Sequence, residues 1–381
     1  MERENLLSEF IKNNEEELYS LLRDLCAIPA PSYKEDARAE FCRDWLLKNG
    51  ASGVYIDRAK NVIFPYQCEN SDKITALAAH TDTVFPDESP LPYREENGKI
   101  YCPGEGDNTA SVVMLLLTAK FFIENNIETD GGVLFVCNSC EEGLGNLFGT
   151  RTFMKEYEGR IKQFLAFDTS SFSDVHDKCV GSHRYEIEVK TEGGHSYLAF
   201  GNRNAALSLA EIITELYKIE IPQKENTKTT LNVGTIEGGT SVNTIPESAK
   251  MLCEYRSNDV ECLDYMKEQF MRVFDRANCE HTQVNVKLIG ERPCEKGTNK
   301  EDLQTLVYKC QEIIETVTNQ KTETSPSSTD CNIPLSLGIP AICIGVYNGE
   351  GMHTRGEWLY KDSLPIGLEV AIKTTIAISL P

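Results

Sequence analysis

The sequence lacks the features that a membrane or nucleic-acid partner would require. No stretch reaches the ~18 consecutive apolar residues of a membrane span, and 59 acidic residues outnumber 38 basic ones. The resulting formal net charge of −21 repels phosphate backbones and anionic lipid surfaces. We therefore exclude nucleic acid and membrane as partners. The charge does not identify a substrate, because a metal ion or a local basic patch reverses the field at a single site.

The sequence also has none of the marks of a secreted protein. Its beginning, MERENLLSEFIKNNEEELYSLLRDLCAIPAPS, is charged and amphipathic, without the apolar core of a signal peptide. The 14 cysteines are scattered along the chain. Without a secretory signal we expect reduced and mostly buried thiols, not disulfides or a cysteine zinc site. The expected location is the cytoplasm.

The length of 381 residues favours two domains, because it exceeds the usual size of one core. Residues 1–180 and 291–381 alternate helical and apolar strand-like segments, starting with a helix predicted over 4–26, as in a layered α/β sheet. Residues 181–290 follow the order strand–helix–strand–strand–helix–strand, the split βαβ order of a ferredoxin-like module. We expect a catalytic α/β/α domain with a mixed sheet, interrupted by an inserted α+β lid or dimerisation domain.

Several predicted strands are followed by histidine or carboxylate residues, although the chain has only 6 histidines. His80 closes the strand KITALAAH, and Asp82 follows two residues later. Residues i and i+2 of a strand share a face, so Asp82 is placed to hydrogen-bond the imidazole and orient it. Alone, such a pair is more often structural than functional.

Two adjacent glutamates, Glu141 and Glu142, follow the apolar strand in VLFVCNSCEEGLGN. Adjacent like charges repel, so the pair is either a solvated loop or is held together by a cation. Asp107, in CPGEGDNTA, lies between a glycine-rich turn and a buried helix, where its alternative role is an N-cap or turn residue. Asp168 follows the strand FLAF, and His353 follows the last apolar strand.

These residue types together are what a dinuclear metal site needs. Two divalent ions ~3.5–4 Å apart require a bridging carboxylate with terminal histidine and carboxylate ligands. Imidazole and carboxylate donors suit zinc, with cobalt or manganese as alternatives. One glutamate of the pair can then bind a metal while its neighbour takes a proton from metal-bound water.

Linked motifs in a fixed order resemble the zinc aminoacylase/carboxypeptidase metallopeptidase family, which includes glutamate carboxypeptidase, acetylornithine deacetylase, succinyl-diaminopimelate desuccinylase and peptidase T. The motifs are AHTDTV, GEGDNTA, CEEGLGN, LAFDTS, GGHS, GGTSVNTIPE, CEYRS, SSTDCNIPLSLGIPAI and GMHT. The resemblance implies that His80 and Asp168 hold one zinc and that Glu142 and His353 hold the other. It further implies that Asp107 bridges both, with a peptide to Asn108 that is often cis. Glu141 would be the general base, and Asp82 the partner of His80.

The same resemblance assigns substrate-facing roles to residues with weaker signals. His195 would stabilise the oxyanion, often from the partner subunit of a dimer through the lid, although not every family member dimerises. Arg256 would clamp a substrate carboxylate with its planar fork, and Asn243 would make a polar contact. Ser328 and Thr329, with the following Asp330, would line the same pocket. Outside this context, His195 would be a surface turn residue and Arg256 a solvated charge.

The resemblance therefore implies a hydrolase that cleaves an amide bond near a free substrate carboxylate, by means of metal-bound hydroxide. We expect a carboxypeptidase, dipeptidase or tripeptidase. An N-acyl-amino-acid deacylase is the alternative, because it uses the same metals and the same carboxylate clamp. A non-catalytic metal-binding protein is a third hypothesis, and the intact Glu141 argues against it.

Overall fold

The computed structural model describes residues 2–380, which form two compact units. Within the described residues, one unit comprises residues 2–179 and 296–380, and the other comprises Val180–Glu295. The assignment of these units as a catalytic domain and a lid stays a prediction.

Most helices belong to the first unit, where they alternate with strands. The helices are α1 (Glu2–Asn13), α2 (Glu15–Cys26), α3 (Asp36–Lys48), α4 (Ser111–Glu124), α5 (Phe148–Glu156), α6 (Ala205–Leu216), α7 (Val260–Ala277), α8 (Lys300–Thr318), α9 (Asn332–Ser336) and α10 (Ser363–Ser379). The second unit contains α6 and α7. A wide turn, Glu105–Ala110, leads directly into α4.

Within residues 2–380 the strands form one eight-stranded sheet, two four-stranded sheets and one two-stranded ribbon. They are β1 (Tyr55–Ile56), β2 (Val62–Tyr66), β3 (Ile74–His80), β4 (Arg94–Glu96), β5 (Lys99–Tyr101), β6 (Val133–Asn138), β7 (Ile161–Phe167), β8 (Asp174–Cys179), β9 (Gly181–Lys190), β10 (Gly194–His195), β11 (Thr229–Gly238), β12 (Thr244–Ile245), β13 (Ser248–Ser257), β14 (Gln283–Arg292), β15 (Glu323–Ser327), β16 (Ala341–Ile344), β17 (Gly349–Glu350) and β18 (Trp358–Tyr360).

A mixed eight-stranded sheet forms the centre of the first unit, in the order β1-β2-β6-β3-β7-β16-β8-β15. The run β6-β3-β7-β16 is parallel, and β3 and β6 are buried along their whole length. Parallel strands covered on both faces read as continuous apolar runs. The carboxyl ends of the parallel strands meet at one edge of the sheet, and the residues after β3, β6 and β7 therefore gather there.

The predicted buried helix is α4, which packs against β3 and β6. The segment Glu105–Glu124 is long and apolar enough to cross a membrane, but 89% of an 18-residue window within it is buried inside the molecule. It is therefore a core helix of this unit. The single helix predicted over 4–26 is wrong, because Asn14 separates α1 from α2. At this point the carbonyl of Phe10 accepts both the main-chain N–H (3.0 Å) and the side-chain amide (2.8 Å) of Asn14.

The second unit is built on an antiparallel sheet in the order β11-β13-β9-β14. Counted along the chain this order is 2-3-1-4, the ferredoxin-like arrangement that the sequence predicts. Helices α6 and α7 cover one face, with Ile187, Met251 and Phe270 in the core between them. The side chains of β9 alternate between this core and the opposite face of the sheet, so Arg184 lies on that opposite face.

Candidate metal centre

Asp107 lies between two histidines at the carboxyl edge of the large sheet. Its Oδ1 is 3.1 Å from Nε2 of His80, and its Oδ2 is 2.9 Å from Nε2 of His353. Each carboxylate oxygen thus faces a different imidazole. This is the arrangement that a carboxylate bridging two metal ions requires.

Two further carboxylates complete the two halves of the cluster. Oδ1 of Asp168 is 3.3 Å from Nε2 of His80, and Oε1 of Glu142 is 3.3 Å from Nε2 of His353. Ligand atoms of His80, Asp107 and Glu142 all lie within 4.8 Å of one another. The structure therefore brings all five predicted metal-ligand residues together, in two groups that share Asp107.

The turn before α4 presents Asp107 to the cluster, with a cis peptide between Asp107 and Asn108, as the resemblance implies. The Asn108 amide donates to the carbonyl of Phe167 (2.7 Å), which ties the turn to the end of β7. Glu357 holds the turn from the other side, because its two carboxylate oxygens accept the N–H groups of Gly104 and Asp107, both at 2.8 Å. A Cβ at Gly106 would lie 2.8 Å from the hydroxyl of buried Tyr347 and 2.9 Å from Glu357, so this close approach favours glycine.

Asp82 positions the two glutamates as well as His80. Its Oδ1 accepts the N–H of Glu141 and its Oδ2 that of Glu142, both at 3.0 Å. The hydroxyl of Ser32 donates to the same carboxylate (2.6 Å). Nδ1 of His80 is closer to the main-chain oxygen of Asp82 (3.0 Å) than to its carboxylate (3.5 Å). The sequence predicted the orienting role towards His80 but not the bonds to the glutamate loop.

The loop that carries the glutamates begins at Cys140, which has a left-handed backbone (φ 55°) that is unusual for a residue with a Cβ. Buried Glu35 stabilises this conformation, since its Oε1 accepts the N–H groups of Cys140 (3.1 Å) and Tyr33 (2.9 Å). The sequence pattern did not indicate this role of Glu35. Cys137 and Cys140 have a C-x-x-C spacing, which the sequence-based prediction did not take into account. Cys137 lies in β6, whereas the thiol of Cys140 contacts Glu35 (3.2 Å). All 14 cysteines are free thiols.

The cluster concentrates negative charge in a buried place, and this shifts the pKa values of its members. Hydrogen bonds to Asp107 and Glu142 raise the pKa of His353 to about 10. Burial and the charge of Asp107 raise the pKa of Glu142 to about 7. For Asp107 burial acts to raise the pKa, but the two histidines outweigh it and hold the pKa below its usual value. Protons here supply the positive charge that the carboxylates demand.

The donor set fits divalent metal ions. Nε2 of His80 lies within 3.3 Å of two carboxylate oxygens and yet makes no hydrogen bond of acceptable geometry within residues 2–380, and the same holds for buried Oε1 of Glu142. Atoms that converge in this way without hydrogen bonding to one another are well placed to bind a cation. Imidazole and carboxylate donors are those of zinc and related ions.

The other predicted loop residues of the first unit are mostly inaccessible. Thr329 is 5% exposed, and its hydroxyl accepts the N–H of Cys331 (3.2 Å) at the start of α9. Asp330 is 1% exposed, and its carboxylate accepts hydrogen bonds from Thr150 and from the Asn138 amide. Asp330 therefore connects the start of α9 to α5 and to the end of β6, and its buried side chain does not line a pocket. Ser328 is partly exposed.

The predicted residues of the second unit lie on its surface. His195, in ribbon β10, is exposed, and its Nδ1 accepts the N–H of Tyr197 (3.2 Å). Asn243 lies on the facing segment, where its carbonyl accepts the N–H of Ser196 (3.0 Å). The ribbon thus brings Asn243 next to His195. Arg256 lies near the end of β13, and Glu254 holds its Nε (2.7 Å) and Nη2 (3.1 Å).

A histidine–carboxylate cluster at the carboxyl edge of a mixed sheet, with a further glutamate beside it, is typical of a metal-dependent hydrolase. Residues 76–376 match the family described as Peptidase family M20/M25/M40, and the chain belongs to this family. The suspected family and the predicted fold class are therefore confirmed.

Individual relatives share the fold at low identity. A succinyl-diaminopimelate desuccinylase of Bordetella parapertussis is 28% identical over 234 residues, which cover 57% of this chain and 61% of that protein. The aminopeptidase PepT of Bacillus cereus superposes with a TM-score of 0.75 at 20% identity, over 96% of this chain and 99% of that one. A dinuclear metal-binding M20 peptidase of Bacillus subtilis gives a TM-score of 0.68 at 18% identity, over 96% and 98%.

The match to the desuccinylase spans about three fifths of its length, and the likeness to the solved structures concerns the fold. The chain thus belongs to a peptidase family and is similar to a desuccinylase. The His/Asp/Glu cluster, together with this family, supports binding of divalent metal.

Proposed function

We propose that this protein is a dinuclear metallopeptidase that cleaves an amide bond near a free carboxylate of a small peptide. The observation that carries the proposal is Asp107, whose two oxygens face the Nε2 atoms of His80 and His353. One half of the cluster adds Asp168 and the other adds Glu142. Two ions, most simply zinc with cobalt or manganese as alternatives, would be held by these five residues.

The bound ions would supply Lewis acidity, which polarises the substrate carbonyl and lowers the pKa of water. Glu141 is the residue of this chain that moves the proton. Its main chain is fixed by Asp82, and its side chain is 5% exposed. As general base Glu141 takes the proton from the attacking water, and it then delivers that proton to the leaving amine.

The residues of the second unit, the proposed lid, would recognise the substrate. Nδ1 of His195 accepts main-chain N–H groups, so Nε2 is the atom that would donate to the developing oxyanion. Glu254 occupies Nε and Nη2 of Arg256, which leaves the Nη1 side of the guanidinium for a substrate carboxylate. Asn243 and Ser328, which are exposed and partly exposed, complete the proposed set as polar contacts. The predicted contact from Thr329 is not part of this set, because its side chain is buried.

The surface around His195 supports a homodimer through the lid. Tyr197, Leu198 and Phe200 are 84%, 81% and 90% exposed, and Val242 is fully exposed beside them. Strand β11 is an edge of the sheet, and open edges readily pair with another chain. Analytical sedimentation of the purified protein would test the proposed homodimer, and a monomer at micromolar concentration would overturn it. The proposed location is the cytoplasm.

Hydrolysis of an N-acyl amino acid is the second candidate. The same metals and the same Arg256 clamp would serve it, and the similarity to a desuccinylase favours it. The two reactions differ in the acyl group that the site accepts.

A substrate panel tests both candidates. Metal-stripped protein is assayed with di- and tripeptides and N-acyl amino acids, before and after addition of zinc, cobalt or manganese, and bound metal is counted. Metal-restored cleavage of peptides would support the proposal, and preference for N-acyl amino acids would support the alternative. Two ions per chain without cleavage of any compound would overturn both and favour a non-catalytic metal-binding protein.

A further inference from the structure

A buried arginine lies behind the metal centre. Arg38, on α3, is 4% exposed, although arginine is rarely buried without a charged partner. Its hydrogen bonds go to three neutral oxygens. Nε donates to the carbonyl of Ile28 (2.8 Å), and Nη1 donates to the carbonyl of Thr81 (2.9 Å) and the hydroxyl of Thr109 (3.1 Å). Burial of a cation costs free energy. The three hydrogen bonds of Arg38 therefore indicate a role that a neutral side chain could not fill.

Two of the three acceptors belong to segments that carry cluster residues. Thr81 stands between His80 and Asp82, at the point where β3 ends. Thr109 follows Asp107 by two residues, and its hydroxyl donates to the carbonyl of Gly104 (2.5 Å). That bond closes the turn that presents Asp107. Arg38 therefore contacts both the end of β3 and the Asp107 turn through one guanidinium nitrogen.

The third acceptor secures the segment that flanks Asp82. Ile28 begins a stretch that runs alongside the residues after β3, where the N–H of Thr83 donates to the carbonyl of Ala30 (2.9 Å). The hydroxyl of Ser32, farther along this stretch, donates to Asp82. The planar guanidinium, with several donors in a fixed geometry, can hold three such segments at once.

We propose that Arg38 is a positioning residue of the metal centre, which holds the end of β3 and the Asp107 turn at the separation that lets His80 and Asp107 share one ion. The inference deepens the proposed function and rests on its metal-binding part, but it does not depend on which amide is cleaved. Its positive charge also lies close enough to attract Asp82, beneath a cluster rich in carboxylates. Loss of the guanidinium should let the two segments move apart.

The test compares metal affinity in Arg38→Met and in a matched variant. Zinc binding to metal-stripped protein is measured by titration calorimetry with a competing chelator, and thermal unfolding is followed without metal. We expect Arg38→Met to bind zinc 10–100-fold more weakly, as is typical when an outer partner of a metal ligand is lost. The control is Lys120→Met, because Lys120 is another buried cation of the same unit, held by Asn14 (2.8 Å) and Glu17 (2.5 Å). It should lose stability and keep its zinc affinity.

Two further variants separate position from charge and cover the case in which Arg38→Met does not fold. Thr109→Val removes one acceptor and keeps the shape of the side chain, and it should weaken zinc binding by less than Arg38→Met. Arg38→Lys keeps the charge but cannot reach three acceptors with one ammonium, so it should recover only part of the affinity. Wild-type affinity in Arg38→Met, or in Thr109→Val where Arg38→Met is unfolded, would overturn the proposal, as would full recovery in Arg38→Lys.

These outcomes are distinct from failure of the proposed function. A wild-type protein that binds zinc without hydrolysing any substrate would remove the peptidase proposal and leave the role of Arg38 measurable. A wild-type protein that binds no zinc would remove both. Zinc-dependent hydrolysis with unchanged affinity in the variants would overturn only the inference about Arg38.

Discussion

The two units of this protein hold their predicted functional residues in opposite ways. In the first unit, Asp82, Glu35 and Glu357 each use a carboxylate to hold the main chain of a loop that carries a cluster residue. In the second unit, His195 and Asn243 lie on an exposed two-stranded ribbon. The difference indicates that the proposed metal centre is organised in advance, because metal ligands tolerate little displacement. The residues proposed to recognise the substrate lie on exposed segments, a common place for binding residues.

The largest expected effect separates the two adjacent glutamates. Glu141→Gln should lower kcat by about 10²–10⁴-fold, the usual contribution of a general base, while zinc remains bound. Glu142→Gln is the matched variant, since it changes the neighbouring residue, which contacts His353. It should lose zinc. Activity assays with metal analysis of both proteins test this, and equal zinc loss in both would refute the assignment.

The next largest effect is expected from Asp82, one of the carboxylates that hold the main chain of the loops in the first unit. Asp82→Asn should weaken zinc binding by about 10–100-fold, because an amide cannot accept the N–H groups of both Glu141 and Glu142 and the Ser32 hydroxyl as well. Asp87→Asn is a suitable control, since Asp87 forms an exposed ion pair with Arg355 (2.6 Å). Zinc titration of the two variants gives the comparison, and equal affinities would show that the loop holds its shape without Asp82.

A smaller effect is expected in the second unit. Arg256→Lys should raise KM about tenfold and leave kcat nearly unchanged, since lysine lacks the planar fork but keeps the charge. Zinc affinity should not change. The control is a substrate with a C-terminal amide, for which both proteins should be equally poor. A fall in kcat with constant KM would show that Arg256 acts in the transition state and not in binding.

The pH dependence of metal-free protein should show the most gradual effect. The pKa of Glu142 is raised to about 7 and that of His353 to about 10, so the folded state binds protons that the unfolded state releases earlier. Stability from Glu142 should fall between about pH 4.5 and 7, and stability from His353 between about pH 6.5 and 10. Thermal unfolding with and without zinc tests this. The metal-loaded protein should lack the decline, because zinc takes the place of these protons.

The architecture could be predicted from the chain to a large extent. Apolar runs of β3 and β6 carry the signature of buried parallel strands, and the alternation along β9 carries that of a half-covered antiparallel sheet. The break at Asn14 was missed, because a side chain that bonds its own helix leaves the apolar periodicity unchanged. Glu35, Glu357 and Arg38 were also missed. Each acts on main-chain atoms, and such a contact leaves no recurring pattern in sequence.

The identity of the donor residues, and their place after strands, can be predicted from the residues alone, since residue chemistry and hydrophobic periodicity are local properties. The folded chain is needed to see that Asp107 faces both His80 and His353, which are separated from it by 27 and 246 positions. The same is true of the bonds by which Glu357 and Arg38 reach the Asp107 turn. These contacts arise because parallel strands deliver distant segments to one sheet edge, where packing sets distances that no local pattern records.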